Sequence, residues 1–172
     1  KNASDLPGSI EPGQLFDRVM VDVPCSGLGA LRRRPEARWR KSPRDIAELL
    51  PLQRQLLDAA IEATRPGGVI AYVTCSPHAA ETQNIVAEVL ESGAVSLLDS
   101  AAALREVALH TEGANGEPVS VLAGEKDPGH TPEIKVKKGA PVVKASENPT
   151  TAQLWPHVHG TDAMFLALLR KN

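Results

Sequence analysis

Two cysteines and one aspartate hold most of the chemical potential of this chain. Cys25 stands in Asp22-Val23-Pro24-Cys25-Ser26-Gly27, and Cys75 stands in Thr74-Cys75-Ser76-Pro77. They are the only two cysteines in 172 residues, and a serine follows each. A thiolate is a strong nucleophile, but a thiol near its reference pKa of about 8.5 is mostly protonated at neutral pH. Activation needs a cation, a helix N-terminus or a base close by. Ser76-Pro77 leads into a helical pattern, so backbone donors and a helix dipole are expected to favour a Cys75 thiolate. Asp22, three residues before Cys25, adds an acid to the same ground. Quieter readings stay open: a small buried hydrophobe at either position, or a disulfide between the two. Zinc is not indicated, because two thiols and scattered histidines lack ligand spacing.

The elements that must position these groups are short and apolar. Val19, Met20, Val21 and Val23 form a run of the kind buried on both faces of a parallel sheet, with Asp22 inside it. Pro24 and Gly27 end it, since proline removes a backbone donor and glycine opens conformations closed to other residues. Residues 69–73, Val-Ile-Ala-Tyr-Val, repeat the pattern after a Pro66-Gly67-Gly68 turn. Both cysteines therefore fall just past the carboxyl end of a strand, the edge where open α/β sheets bind ligands. Two neighbouring parallel strands would bring the thiols into one pocket.

Between them, Ser42-Pro43-Arg44-Asp45 reads as a helix start with serine as N-cap, proline at the first position and an acid at the third. Ile46, Leu49, Leu50, Gln53, Leu57, Ala60 and Ile61 follow helical spacing, and Pro51 is expected to split or kink the helix. Strand, helical crossover and strand make a βαβ unit. A helix over residues 79–92, stopped by Gly93, a strand over 94–98, a short helix over 100–109 and a last strand over 164–169 complete the pattern. Residues 1–15 read as a loop. Residues 110–152 carry no periodicity, hold a basic patch at Lys135, Lys137, Lys138 and Lys144, and read as a long loop.

Composition narrows the partners. Aromatics are only 3% and net charge is −2, with no apolar run near 18 residues and no signal-peptide pattern, so no membrane partner and a cytoplasmic location are expected. Cysteines in such a chain are expected to be reduced. The charge is uneven: Arg32, Arg33, Arg34, Arg38, Arg40, Lys41 and Arg44 face Glu36 alone within residues 32–44, and the remainder is acidic. A basic segment with Trp39 inside it, following the first cysteine turn, suits a phosphate backbone and a stackable base. A solvated charged loop is the plainer alternative.

Taken together, Asp22-Val23-Pro24-Cys25-Ser26-Gly27-Leu28-Gly29, the segment Arg32-Arg33-Arg34-Pro35-Glu36-Ala37-Arg38-Trp39-Arg40 and Thr74-Cys75-Ser76 resemble the Fmu/Sun-type (RsmB-like) RNA cytosine-5 methyltransferases. Leu154-Trp155-Pro156-His157 and His159-Gly160-Thr161-Asp162 resemble that family's C-terminal signature. The resemblance implies an S-adenosylmethionine-dependent enzyme acting on RNA, ribosomal RNA first. Cys75 would be the nucleophile at C6 of cytosine, and Cys25 would assist release of the adduct. Asp22 would approach both base and cofactor, with Pro24 beside the cofactor. Arg32, Arg33, Arg34, Arg38, Trp39 and Arg40 would meet RNA.

The chain departs from the family at Val23, where alanine is usual, and at Glu81-Thr82-Gln83-Asn84, which keeps only part of an acid-acid-Asn motif. The family's glycine-rich cofactor loop and the acids of the next two strands precede the cysteine motifs and are not in this sequence. The implied fold is therefore α/β, the second half of a class I (Rossmann-like) methyltransferase sheet, mostly parallel with an antiparallel last strand. Residues 1–172 would be the C-terminal portion of a catalytic domain, inactive alone and prone to self-association through an exposed sheet edge. An RNA-binding module that keeps the fold without cofactor binding is the alternative. A DNA cytosine-5 methyltransferase fits less well, because its nucleophile lies in the Pro-Cys motif and needs no second cysteine.

Overall fold

The apolar runs build one mixed sheet in the computed structural model, which describes residues 13–107 and 150–172. β1 (Phe16–Asp22) and β2 (Thr64–Thr74) lie parallel, in register from Arg18 opposite Val69 to Asp22 opposite Val73. Parallel neighbours need a crossover, and α1 (Pro43–Ala63) supplies it. β5 (Phe165–Lys171) runs antiparallel between β2 and β3 (Val95–Leu97), so the order is β1-β2-β5-β3. β4 (Ala152–Gln153) pairs with the first residues of β5. The antiparallel last strand expected from the sequence is present, and it lies inside the sheet. β1 is at the sheet's edge among the described strands.

The core covers one face of this sheet. Ile70, Tyr72, Ala167 and Leu169 point to it and are fully buried, together with Leu57 of α1 and Val86 and Val89 of α2 (Gln83–Glu91). Tyr72 meets Phe165 edge to face, with ring centroids 6.3 Å apart. β1 is not buried on both faces as its composition suggested. Successive side chains alternate across a strand, so Val19 and Val21 pack partly on the core while Met20 is 73% exposed.

Local signals account for most element ends. Ser42 and Asp45 form the expected capping box, the Ser42 amide donating to the Asp45 carboxylate at 2.6 Å. Pro51 does not split α1, which is continuous through it. Its ring faces solvent, and burial of Gln53, Leu57, Ala60 and Ile61 offsets the missing hydrogen bond. The turn at Pro66-Gly67-Gly68 is absorbed into β2 as a bulge: Phe16 pairs with Thr64 but Arg18 with Val69, and Gly67 takes φ +76°. The helix expected from residue 79 begins only at Gln83, after a single 3-10 turn at Ala79–Glu81. Thr82 Oγ1 donates back to the His78 carbonyl at 2.9 Å, which closes that turn. Gly93, at φ +72°, ends α2. The expected short helix is α3 (Ser100–Val107), and a four-residue helix, α4 (Pro156–His159), follows Trp155. The four lysines of the expected basic patch lie outside the described residues. No helix among the described residues is long and apolar enough to cross a membrane.

Candidate active site

Parallel pairing of β1 and β2 delivers the two thiols to one place. The ladder ends where Val23 N donates to the Val73 carbonyl at 3.1 Å, and Pro24 turns the chain away. Cys25 Sγ and Cys75 Sγ then face each other at 3.2 Å, both half-buried and both reduced. A disulfide, one of the readings left open above, is absent from this structure.

Cys75 is not activated in the way its position suggested. Burial pushes its thiol up to about 12, reinforced by the contact with Cys25 and by the negative charge of Asp22. No full helix begins beside it. The segment that follows is a three-residue turn, Ala79–Glu81, and amides in and before it are directed elsewhere: His78 N donates to Ser76 Oγ at 3.0 Å, Ala80 N to His78 Nδ1 at 3.3 Å and Glu81 N to the His78 carbonyl at 3.0 Å. The thiol form is therefore the resting form. At pH 7.5 a thiol at this value is roughly 3000-fold less ionised than a free one, and the greater basicity of its thiolate recovers part of the deficit. Iodoacetamide is expected to modify Cys75 on the order of a hundredfold more slowly than it modifies glutathione. The rate should keep rising by about tenfold per pH unit to pH 10. Alkylation at the glutathione rate, followed by peptide mass spectrometry, would show instead a stabilised thiolate.

Beneath the thiols lies the carboxylate of Glu81, which the sequence offered only as the remnant of an acid-acid-Asn motif, with no role attached. Glu81 is fully buried and accepts from Ser26 N at 2.8 Å, Ser26 Oγ at 2.6 Å, Ser76 Oγ at 2.6 Å and Gln53 Nε2 at 3.0 Å. Burial alone would raise its pKa, but these hydrogen bonds from Ser26, Ser76 and Gln53 outweigh it and hold the carboxyl below its ordinary value. Two sequence signals could have flagged the cluster. Each cysteine is followed by serine, and Gln53 is a polar residue in the apolar stripe of α1.

Gly29 joins three loops. Its amide donates to the Cys75 carbonyl and its carbonyl accepts from Ala163 N, both at 2.9 Å. A Cβ at this position would stand 2.1 Å from the Ala163 carbonyl oxygen and 2.6 Å from that of Cys75.

Asp22 and Pro24 are exposed at the lip of the thiol pocket, at the carboxyl end of the edge strand. The basic segment is divided in its partners. Arg33 Nε donates to both carboxylate oxygens of Asp162, at 3.0 and 2.9 Å, and Arg32 Nε lies 3.3 Å from the same group. The hydrogen bonds from Arg33 hold Asp162 below the usual carboxylate range, and Asp162 raises Arg33. These two arginines, expected to meet RNA together with their neighbours, also anchor the C-terminal segment. Arg34, Arg38 and Arg40 make no ion pair among the described residues. Trp39 is 81% exposed, with the Arg38 guanidinium 5.0 Å from its ring centroid.

The chain is similar to known methyltransferases. The model of the family described as 16S rRNA methyltransferase RsmB/F matches residues 3–170. A Mycobacterium tuberculosis H37Rv protein named "Putative methyltransferase Rv1407" is 48% identical over 162 residues, which cover 94% of this chain and 27% of that protein. The ribosomal RNA small subunit methyltransferase B of Salmonella paratyphi B is 49% identical over 63 residues, 37% of this chain and 15% of that one. Among solved structures, a methyltransferase homolog protein from Pyrococcus horikoshii is 25% identical with a TM-score of 0.59, covering 92% of this chain and 40% of that chain. The chain thus spans about a quarter of the length of the mycobacterial relative it matches.

Proposed function

The chain belongs to the 16S rRNA methyltransferase RsmB/F family, and from that premise we propose that it carries the two-thiol centre of an S-adenosylmethionine-dependent RNA cytosine-5 methyltransferase. The observation that carries the proposal is the 3.2 Å contact between Cys25 Sγ and Cys75 Sγ at the carboxyl ends of adjacent parallel strands. The strand order, with an antiparallel last strand between two parallel ones, suits the second half of a class I methyltransferase sheet. On this reading the chain is the C-terminal portion of a catalytic domain. The outer edge of β1 continues the sheet in the whole protein and mediates self-association when the chain is made alone.

The residues present fit one wall of a cofactor site. Asp22 is an exposed carboxylate at a strand end with no side-chain partner among the described residues, able to accept from an amine, and the exposed Pro24 ring offers apolar contact. S-adenosylmethionine bound there would supply an electrophilic methyl group. On the protein side, Cys75 Sγ adds to C6 of the target cytosine. Because the resting thiol is protonated, its proton leaves during attack, passing by way of Asp22 to N3. The electron-rich C5 then takes the methyl group. Loss of the N3 and C5 protons, as Sγ departs, restores the 5,6 double bond; one proton returns to Cys75 and the other is released. Cys25 stands beside the departing sulfur and assists its expulsion. The base must be out of its stack for this attack, and the exposed Arg34, Arg38, Arg40 and Trp39 form a rim able to hold an unpaired strand.

Incubation of the whole protein with small-subunit ribosomal RNA and methyl-labelled S-adenosylmethionine, followed by digestion to nucleosides, tests the reading. The expected product is 5-methylcytidine. Label on another base would overturn it, and RNA binding without methyl transfer would favour the module without cofactor binding. The rim has its own test. Replacing Arg34, Arg38 and Arg40 with alanine should reduce the slope of log K against log salt by about 2, because each phosphate contact to a single strand contributes about 0.7. An unchanged slope would leave these arginines as solvated surface.

A further inference from the structure

The mechanism uses the thiols and Asp22 but not Glu81, the buried carboxylate beneath them. We propose that Glu81 is a positioning residue that fixes Cys25 and Cys75 opposite each other, an inference resting on the two-thiol reading above. An ionised carboxylate has two oxygens with about four acceptor sites between them. Here all four are used: Oε1 takes Ser26 N and Gln53 Nε2, and Oε2 takes the hydroxyls of Ser26 and Ser76. The two serines are the residues directly after the two cysteines, so one rigid group holds the chain at the same point of both loops. Each serine spends its only proton on Glu81, and Ser76 Oγ still accepts from His78 N, which holds its own loop.

The anchor is itself fixed. Tyr72 Oη donates to the Glu81 carbonyl at 2.8 Å, and Gln53 Nε2 also donates to the Pro24 carbonyl at 2.9 Å. Cys25 is thus held on its N-terminal side by Gln53 and on its C-terminal side by Glu81. With its nitrogen committed between two acceptors, Gln53 leaves Oε1 buried without a hydrogen-bond partner among the described residues. Burying a carboxylate among neutral donors is a costly way to fill a core. The arrangement is better suited to geometry than to stability. A shift of about 1 Å between reacting groups costs roughly a hundredfold in rate.

The test uses the whole protein with Glu81→Ala, Glu81→Gln and, as a control, Leu57→Ala, a core change that removes none of the cluster's hydrogen bonds. Diamide measures thiol opposition directly: it is reduced to the hydrazine as the two thiols are oxidised to one disulfide. In Glu81→Ala, closure should slow at least tenfold and kcat for methyl transfer should fall about a hundredfold, with KM for RNA within threefold. Glu81→Gln presents the same shape, and its amide can donate to the two hydroxyls. It should recover kcat to within about tenfold of wild type, with an unaltered pH profile. Leu57→Ala should lower Tm by as much as Glu81→Ala while leaving closure and kcat near wild type. Closure and kcat within threefold of wild type in Glu81→Ala would overturn the proposal, as would equal losses in Leu57→Ala. If Glu81→Ala does not fold, a Glu81→Gln variant no better than Glu81→Asp in closure would overturn it. Slowed closure in Glu81→Ala, alongside a wild type that makes no 5-methylcytidine, would uphold positioning and sink the methyltransferase reading.

Discussion

Cys75→Ala in the whole protein is expected to abolish methyl transfer, a loss of at least about 10³-fold, and to leave no covalent RNA complex on a denaturing gel. Cys25→Ala is expected to do the opposite at the adduct stage: product falls by a similar factor while a protein–RNA complex accumulates. The asymmetry follows from the roles. One sulfur makes the bond to C6, and its neighbour 3.2 Å away helps break it. Neither change should unfold the site, since both cysteine side chains lie outside the Glu81 cluster and the serines that follow them keep their bonds to it. A complex trapped by Cys75→Ala instead would exchange the two roles.

Gly29→Ala is expected to be the most damaging single methyl that the site can receive. The added carbon would meet two backbone carbonyl oxygens, at 2.1 and 2.6 Å, and neither can move as a flexible side chain would. Relief requires separating the loops that bear Cys25, Cys75 and Ala163, which breaks both hydrogen bonds that Gly29 makes. Overpacking and two lost bonds together cost about 2–5 kcal/mol, a fall in Tm of roughly 5–15 °C for a domain of this size. Activity per folded molecule should drop as well, because the thiols lose their register. Thermal unfolding and methyl transfer measured on the same preparation check both effects. A Tm within 2 °C of wild type, with full activity, would show that these loops have more freedom than the structure gives them.

What was legible in the sequence was whatever is written locally. The capping box at Ser42 and Asp45, the stop at Gly93 and the apolar runs of β1 and β2 each depend on residues within a few positions of one another, and each is present. The thiol pair was readable for a related reason. Two similar strand ends needed only to be neighbours, and the α1 crossover makes them so. The Glu81 cluster was legible only as separate hints, a serine after each cysteine and the polar Gln53 in an apolar stripe, because its partners come from residues 26, 53 and 76 and no periodicity relates them. The same holds for the anchoring of Arg32 and Arg33 by Asp162, about 130 residues away, and for the place of β5 between β2 and β3. The expected activation of Cys75 failed for a different reason. The helical pattern that follows it gives way to a short 3-10 turn whose Ala80 and Glu81 amides donate to His78, and burial then decides the thiol's pKa.

The most direct measurement uses the unaltered whole protein with S-adenosylmethionine and RNA carrying 5-fluorocytidine at the position found to be methylated. After methyl transfer the fluorine on C5 cannot leave as a proton would, so the covalent complex persists and can be digested and sequenced by mass spectrometry. The expected result is a nucleotide with a 5-methyl-5-fluoro base attached to the peptide containing Cys75 and to no other. Attachment to the Cys25 peptide would reverse the proposed roles of the thiols. A protein that methylates RNA at full rate yet forms no covalent complex would contradict the Cys75–C6 mechanism altogether.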